Sequence, residues 1–315
     1  MTTYIIRRIM LMIPTIVMVT VLVFLIVRLL PGDAVETIIG QYTPLTNGER
    51  AQVRHELGLD RPWYDEYASF VGGALHGDFG RSLQSQHPIS DDLKDRLPVS
   101  FELGAMALLI GIVIAIPIGV LAAIRQDSLI DQVARSSAIT LLALPSFWIG
   151  TMIVVYPNTW WNWAVPQYTP FRSDPIGNLY YFFIPAAVLG VGLAGAIMRL
   201  TRAQMLEVLR QDYIRTAWSK GLKERSIVFR HALKNAMIPV LTLVALQIPI
   251  VIGGAVVVET IFSVPGMGFY LVSAANAKDF PVLQAVTLLL AVIVVFSNLL
   301  VDVAYAWLDP RIRYS

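Results

Sequence analysis

Long apolar runs without a single Asp, Glu, Lys or Arg recur along this chain and alternate with polar segments. Six such runs hold at least 19 residues each: 9–27, 103–124, 136–156, 175–198, 235–258 and 280–301. At about 1.5 Å of rise per helical residue, 19 residues span roughly 28 Å, close to the ~30 Å hydrocarbon core of a bilayer. The pattern therefore predicts an all-α polytopic membrane protein with six transmembrane helices.

Two charge-free stretches need a separate interpretation. The one that begins at Ser136 runs on to Phe171, but we expect Pro157, Asn158 and a Trp-rich segment to end its helix before then. Residues 260–277 are also free of charge, yet their Pro, Gly, Ser and Asn content favours a loop or a re-entrant segment.

The first run could also be read as a signal peptide, because Arg7 and Arg8 precede an apolar core. We expect a membrane anchor instead. The core is too long for a signal peptide, and residues 29–32 after it offer no small-residue cleavage site.

The polar segment between the first two membrane helices, residues 31–98, predicts a small helical external domain. Thr46 and Glu49 form a capping box that opens one helix. Pro62 fits the first turn of a second helix, which the glycines of 72–77 bring to an end.

The predicted domain organisation follows from these segments. Residues 1–30 form an N-terminal membrane helix ahead of the external domain, and 99–308 form a core with five membrane helices. A cytoplasmic loop within that core covers 204–236, and 309–315 form a cytoplasmic tail.

Basic residues are spread unevenly about the predicted helices, and this sets their orientation. With the N-terminus inside, the cytoplasmic segments include nine Lys and Arg between positions 199 and 234, whereas the two short outside loops carry only Arg172 and Lys278. The positive-inside rule thus predicts a multi-pass membrane protein with both termini in the cytoplasm.

Composition excludes several kinds of functional site. The chain has no cysteine, which excludes disulfides, zinc–thiolate sites and thiol catalysis. No glycine is followed by lysine, so there is no phosphate-binding P-loop, and any ATP must be hydrolysed by another subunit. His231 has no second His or Cys near it in sequence, and no metal-ligand spacing occurs in the predicted helices. The residues therefore argue against an enzyme.

The most informative polar segment is the basic stretch 212–239 between two apolar runs. We expect Asp212 to cap a helix that starts at Tyr213, and Gly221 to close it in a left-handed conformation with Leu222 as the apolar contact beyond. The result is a rigid helix of about two turns, roughly 12 Å long.

One face of this short helix has the layout of a helix that lies in a partner's groove. Four residues share it by i, i+3, i+4 spacing: Tyr213, Thr216, Ala217 and Lys220. A second amphipathic stretch, 226–236, is expected to bury Val228, Phe229, Ala232 and Leu233. Binding to anionic lipid explains a basic loop equally well, so the residues alone leave both interpretations open.

Six motifs in order along nearly the whole chain resemble ABC-importer permeases of the dipeptide/oligopeptide/nickel branch. They are IIRRIMLMIP…VFLIVRLLPGD, LGLDRPWYDEY…GALHGDFGRSL, LPSFWIG, MRLTRAQMLEVLRQDYIRTAWSKGL, GGAVVVETIFSVPGMG and LLVDVAYAWLDPRIRY. The segment after Asp212 is similar to that family's EAA loop. It departs from the general pattern, because Arg215 stands where a glutamate would be and the interval from Gly221 to Pro239 is longer.

The resemblance implies a type I ABC importer permease fold in which the EAA loop acts as a coupling helix seated in an ATPase groove. The residues that it assigns to coupling are Tyr213, Arg215, Thr216, Ala217, Lys220, Gly221, Leu222 and Arg225. It also implies a homologous second permease subunit, two ATPase subunits that bind ATP and Mg, and an extracytoplasmic substrate-binding protein. No cofactor is expected in this chain itself.

The implied function is a permease subunit that forms half of a translocation path for peptides and couples it to ATP hydrolysis by alternating access. Nickel chelates or oligosaccharides are the alternative cargo, and a stand-alone channel or secondary carrier is the alternative class. Gln247 and Asn298 are polar at membrane depth and are candidates to line the path, although hydrogen bonding between helices explains them as well. Pro145 and other prolines within the runs predict kinks.

Overall fold

The computed structural model describes residues 2–29 and 62–308 of the 315-residue chain. The capping box at Thr46 and Glu49 and the tail 309–315 lie outside the described residues. Helices dominate what is described: α1 (Thr2–Leu29), α2 (Trp63–Leu75), α3 (Ile89–Ile124), α4 (Leu129–Ala143), α5 (Ser146–Trp161), α6 (Pro175–Leu209), α7 (Asp212–Ser219), α8 (Leu233–Phe262), α9 (Met267–Ala277) and α10 (Phe280–Leu308).

Within the described residues, five stretches are long and apolar enough to cross a membrane: Ile6–Ile26, Ile89–Ile124, Pro175–Leu209, Glu224–Phe262 and Phe280–Val303. A sixth span results if α4 and α5 count together. The all-α polytopic class is thereby confirmed, and the number of candidate spans equals the six predicted if α4 and α5 form one span.

The third predicted span is broken rather than straight. α4 ends at Ala143 and α5 starts at Ser146, and the two axes differ in direction by 90°. Pro145 occupies the N-cap position of α5 and cannot donate a backbone hydrogen bond, so the break falls at one of the prolines from which a kink was predicted.

α5 ends inside the Trp-rich segment, before Phe171 as predicted, but Pro157 is not what ends it. The helix continues through Pro157 to Trp161, and Asn162 closes it in the left-handed conformation with φ of 52°. Pro157 is the twelfth residue of the helix and does not end it. The last turn is held by hydrogen bonds of the Asn162 N–H and of Asn158 Nδ2, which donates to the Trp163 carbonyl oxygen. Asn is one of the few residues that adopts this conformation readily.

The chain divides into two compact units, and each has its own core. The first contains Met1–Ser100 and Pro265–Leu299, and the second contains Phe101–Val264 and Leu300–Ser315.

In the first unit, α2 is fastened to α1 by polar and aromatic contacts. The hydroxyls of Thr20 and Tyr67 lie 2.8 Å apart, and the Phe24 and Tyr67 rings meet edge to face at 5.5 Å. Arg28 forms an ion pair with Glu66. The second helix predicted within residues 31–98 is therefore present, with Pro62 at its N-cap rather than in its first turn.

Residues 260–277, expected as a loop or re-entrant segment, contain a break and a short helix. Ser263 ends α8 with φ of 53°, and the eleven-residue α9 follows. Eleven residues are too few to cross a bilayer. Tyr270 of α9 donates a hydrogen bond to Asp92 Oδ2 (2.7 Å) and lies under the Arg96 guanidinium, 4.3 Å from the ring centroid. Burial and the Asp92 hydrogen bond raise the pKa of Tyr270.

The core of the second unit is built on α6, which packs against α4 and α8. Small residues allow the close approach. A Cβ on Gly190 would lie 2.3 Å from the Ala107 carbonyl oxygen of α3, and one on Gly195 would lie 2.8 Å from the Ala138 carbonyl oxygen of α4. Gly195 therefore permits close helix packing, whereas a Cβ on Gly192 would meet nothing within 4 Å.

Candidate functional site

The short helix α7 sits three residues after the long helix α6 and is closed by a well-formed cap. It starts at Asp212, one residue earlier than expected, with Gln211 in the N-cap position. At its other end the Gly221 N–H bonds to the Trp218 oxygen (2.9 Å) and the Leu222 N–H bonds to the Ala217 oxygen (3.3 Å). This pair is the Schellman pattern, and Gly221 has the positive φ (75°) that the pattern requires.

One side of α7 is buried in the chain's own core. Ile214 is fully buried and Ala217 is 7% exposed. They pack into a cluster with residues of α3, α6, the segment 227–232 and the first turn of α8: Val120, Ala123, Met205, Ile227, Val228, Ala232 and Ala236. The surface of Ala217, which the sequence grouped with the partner-facing residues, is thus covered by this chain itself.

The rest of the α7 surface is exposed: Arg215 and Thr216 lie away from the buried residues, and the Tyr213 and Trp218 rings flank them on either side. Tyr213 is 44% exposed and Trp218 is 51% exposed. The other exposed coupling candidates are Arg215, Thr216, Lys220, Gly221, Leu222 and Arg225. Trp218 was not among the sequence candidates, because its position falls off the i, i+3, i+4 face on which that prediction rested.

Tyr213 also contacts the following helix. The Asn235 side-chain N–H donates to the Tyr213 hydroxyl (2.8 Å) and to the His231 carbonyl oxygen (3.0 Å). This side-chain pair joins the start of α7 to the start of α8. Together with the buried Ile214, it fixes α7 to the membrane core at two points.

The segment between α7 and α8 is a helical turn, Glu224–Ser226, followed by a π-helix, Ile227–Ala232. Val228 and Ala232 are buried as expected, but Phe229 is 57% exposed, so that part of the prediction is wrong. A π-helix has more residues per turn than an α-helix, which changes the residues that face the core.

A buried ion pair lies just upstream of α7. Asp131, in the first turn of α4, is fully buried and accepts from Arg202 Nε at 2.5 Å and from Arg202 Nη2 at 2.7 Å. Arg135 lies 3.6 Å from the same carboxylate, and the Asp127 N–H donates to it at 3.0 Å. The pair joins α4 to α6, two turns before α6 ends.

The two candidate path residues differ in environment. Gln247 lies in the second unit and is 7% exposed, whereas Asn298 lies in the first unit and is exposed. In the part of the chain that the structure describes, no group of three or more His, Cys, Asp or Glu is placed to hold a metal ion.

Comparison with known proteins gives a consistent result over the full length. Residues 115–314 match the family described as binding-protein-dependent transport system inner membrane component, and residues 1–104 match its N-terminal counterpart. The chain is 37% identical to the dipeptide transport system permease protein DppB of Escherichia coli, over 99% of both chains. It is 40% identical to a putative peptide transport system permease protein of Brucella abortus, over 100% of both.

One further relative and one solved structure extend the comparison. The oligopeptide transport system permease protein AppB of Bacillus subtilis is 37% identical over 100% of both chains. A crystal structure of an amino acid ABC transporter with histidines has a similar fold, with a TM-score of 0.53 at 13% identity, over 69% of this chain and 94% of that one.

Proposed function

This chain belongs to the family of binding-protein-dependent transport system inner membrane components, and we propose that its cargo is a peptide and that α7 is its contact with an ATPase. Family membership confirms the resemblance carried by the six sequence motifs. The chain is a multi-pass membrane protein and the permease component of an ABC importer, in which a separate subunit hydrolyses ATP.

The cargo proposal is supported by the full-length relatives. Those from three genera carry dipeptide, peptide or oligopeptide transport in their names. Nickel chelates and oligosaccharides are the alternatives that the test below separates.

The observation that carries the coupling proposal is the two-sided environment of α7. Its inner side is held by Ile214 and Ala217 in the chain's own core, its outer side presents Arg215 and Thr216, and the exposed Tyr213 and Trp218 rings flank the buried residues. Aromatic and basic side chains on a rigid support are typical of protein docking sites. A displacement of the outer side is therefore transmitted to the membrane helices as a nearly rigid-body motion.

Alternating access indicates how much free energy this contact must transmit. Moving an assembly from 1:99 to 99:1 in favour of one state takes about 5.5 kcal/mol. ATP binding supplies that bias only if the docked element moves as a rigid body. The Schellman cap at Gly221, the Tyr213–Asn235 hydrogen bond and the Asp131–Arg202 ion pair all stiffen the segment that would transmit it.

The chain works in a transport complex with other subunits. We assign to that complex a homologous second permease, two ATPases that bind ATP and Mg, and an extracytoplasmic binding protein. In this arrangement α7 faces the cytoplasm of a cytoplasmic-membrane protein with both termini inside. The excess of Lys and Arg between positions 199 and 234 supports that orientation.

The test is transport by the reconstituted complex. The chain is co-expressed with its sister permease and the ATPases, and the purified complex is placed in proteoliposomes with the binding protein. Uptake of a labelled dipeptide, a labelled oligopeptide, a nickel chelate and a trisaccharide is then compared with and without ATP. We expect ATP-dependent uptake of the peptides. Uptake of only the chelate or the saccharide would refute peptide cargo, and uptake independent of ATP would refute coupling.

A further inference from the structure

A cluster of hydrogen-bond acceptors in the second unit lies where the loop before α6 meets α3. Asn178, in the first turn of α6, is fully buried. Its Nδ2 donates to the Thr169 carbonyl oxygen at 2.9 Å and, at 3.5 Å, to Glu102 Oε2 of α3. One amide group thus brings together a loop, the start of one helix and the carboxylate of another.

Two oxygens beside this amide are buried and have no hydrogen-bond partner among the described residues. They are Asn178 Oδ1 and Thr169 Oγ1. A buried acceptor without a donor costs about 1–3 kcal/mol of desolvation, so such atoms are uncommon unless a ligand or water supplies the donor. Because the same Asn178 amide contacts Glu102 and Thr169, these two oxygens and the carboxylate indicate a position for a group that carries several N–H donors.

Glu102 itself is short of donors. It is half-buried, and its one hydrogen bond to a described residue is the long contact with Asn178. No Lys, Arg or His in the described ranges 2–29 and 62–308 forms an ion pair with it. A carboxylate partly withdrawn from water is stabilised by a cation.

An aromatic wall adjoins the carboxylate. Tyr168 meets the Tyr181 ring edge to face at 5.5 Å and the Phe182 ring at 6.0 Å. Burial and the negative charge of Glu102 raise the pKa of Tyr168, which agrees with a carboxylate close to this ring. The wall shields one side of the cluster from water and strengthens electrostatic attraction there.

The start of α6 does not offer an anion site instead. The Gly177 N–H bonds to Asp174 Oδ1 at 2.9 Å and the Asn178 N–H bonds to the Asp174 carbonyl oxygen at 3.0 Å. These N–H groups are already used, and Asp174 adds a further negative charge. Asn178 Oδ1 only accepts, and the Thr169 hydroxyl can accept as well as donate, so together with the Glu102 carboxylate they favour a cation.

We propose that Glu102, Asn178 and Thr169 bind a primary ammonium group. The group has three N–H donors, which matches one carboxylate and two unsatisfied oxygens. A peptide carries such a group at its N-terminus, so the site would hold cargo on its way through the permease. This assignment to cargo rests on the proposed function, whereas a free ammonium ion has the same chemistry and is the alternative source.

The test uses the intact complex in nanodiscs without the binding protein, so that recognition by that protein does not contribute. Thermal unfolding followed by tryptophan fluorescence is titrated with dialanine, N-acetyl-dialanine and ammonium chloride. Dialanine is expected to raise the unfolding temperature and N-acetyl-dialanine is not. Glu102→Gln is expected to weaken the dialanine effect about ten- to a hundred-fold, as for the loss of a charged hydrogen-bond partner.

Two further variants keep the test decisive. Thr169→Val keeps the side-chain shape and removes only an oxygen that has no partner among the described residues, so it is expected to fold and to bind dialanine several-fold more weakly. Asp95→Asn, an exposed carboxylate seven residues before Glu102 on α3, is the matched control and is expected to bind as the wild type does.

Each outcome separates the possibilities. An equal effect of dialanine and N-acetyl-dialanine, or an unchanged effect in both Glu102→Gln and Thr169→Val, overturns the ammonium site. An equal effect of ammonium chloride supports the site but assigns it to a free cation and overturns the cargo role. ATP-driven dialanine uptake by the same wild-type preparation reports on the proposed function separately. Its failure would refute peptide cargo even if the ammonium site were found.

Discussion

Asp131 and Arg202, 71 residues apart in sequence, form a two-point ion pair in which the carboxylate is completely buried. The pair ties the first turn of α4 to α6 shortly before α7. Removing one member of a buried pair leaves the other charge without compensation, and that is what makes such pairs costly to break.

Asp131→Asn is therefore expected to destabilise the chain by about 3 kcal/mol. This is the low end of the range for broken buried ion pairs, because Arg135, the third member of the network, is half exposed. The measurement is the unfolding temperature of the purified complex. Asp91→Asn is the control, because the Asp91–Lys94 pair is exposed on both sides and its loss should have no measurable effect. Equal stability of both variants would show that the buried pair does not hold α4 and α6 together.

Gly221→Ala is expected to cost about 1 kcal/mol and to reduce the coupling of ATP hydrolysis to transport, because φ of 75° is unfavourable for a residue with a Cβ. The measurement is the number of ATP molecules hydrolysed per peptide imported. Gly221→Pro is expected to abolish transport while membrane insertion continues, since proline cannot adopt this φ.

The control for this change is Gly192→Ala in α6. A Cβ there would meet no atom within 4 Å, and the substitution should leave transport intact. Normal coupling in both Gly221 variants would mean that the stiffness of the α7 cap is not needed for coupling.

The features predicted correctly from sequence are those that depend on neighbouring residues. Apolar length determines the membrane spans, and the glycine after Lys220 determines the end of α7. The sequence did not reveal that Ala217 faces inward, because helical spacing says which residues share a face and not which face the core covers. Phe229 was misassigned for a related reason, since the π-helix breaks the 3.6-residue period.

Contacts between distant segments could not be predicted at all. Glu102 meets Asn178 across 76 residues, and Ser82 meets Asp279 across 197 residues. Single-sequence patterns carry no information on such pairs. Glu102 could be noticed only as a carboxylate at the end of an apolar run.

Adjacent positions in α7 separate docking from folding. Ala217→Asp places a carboxylate in the buried cluster around Ile214 and is expected to destabilise the chain itself by several kcal/mol, about the cost of burying an unpaired charge. Thr216→Asp changes an exposed residue and should leave the fold intact while weakening ATPase binding. The two measurements are the unfolding temperature of the chain and co-purification of the ATPase. Undiminished co-purification and transport in Thr216→Asp would contradict docking on this side of α7.

The last prediction concerns the first unit, where Asp279 is 3% exposed and holds a loop before α3. Its carboxylate accepts from the Ser82 hydroxyl at 2.6 Å and from the backbone N–H groups of Leu83 (3.2 Å) and Gln84 (3.4 Å). Asp279→Ala leaves these donors without their acceptor, at a cost of about 1–3 kcal/mol. Because the loss is local, hydrogen exchange should accelerate at the amides of Leu83 and Gln84 but not in α6.

Asp78→Ala, which removes only an exposed contact to the Gly80 N–H, is the control and should leave exchange at those two amides unchanged. Unaltered exchange in Asp279→Ala would show that the loop is held by its own turn and not by the carboxylate.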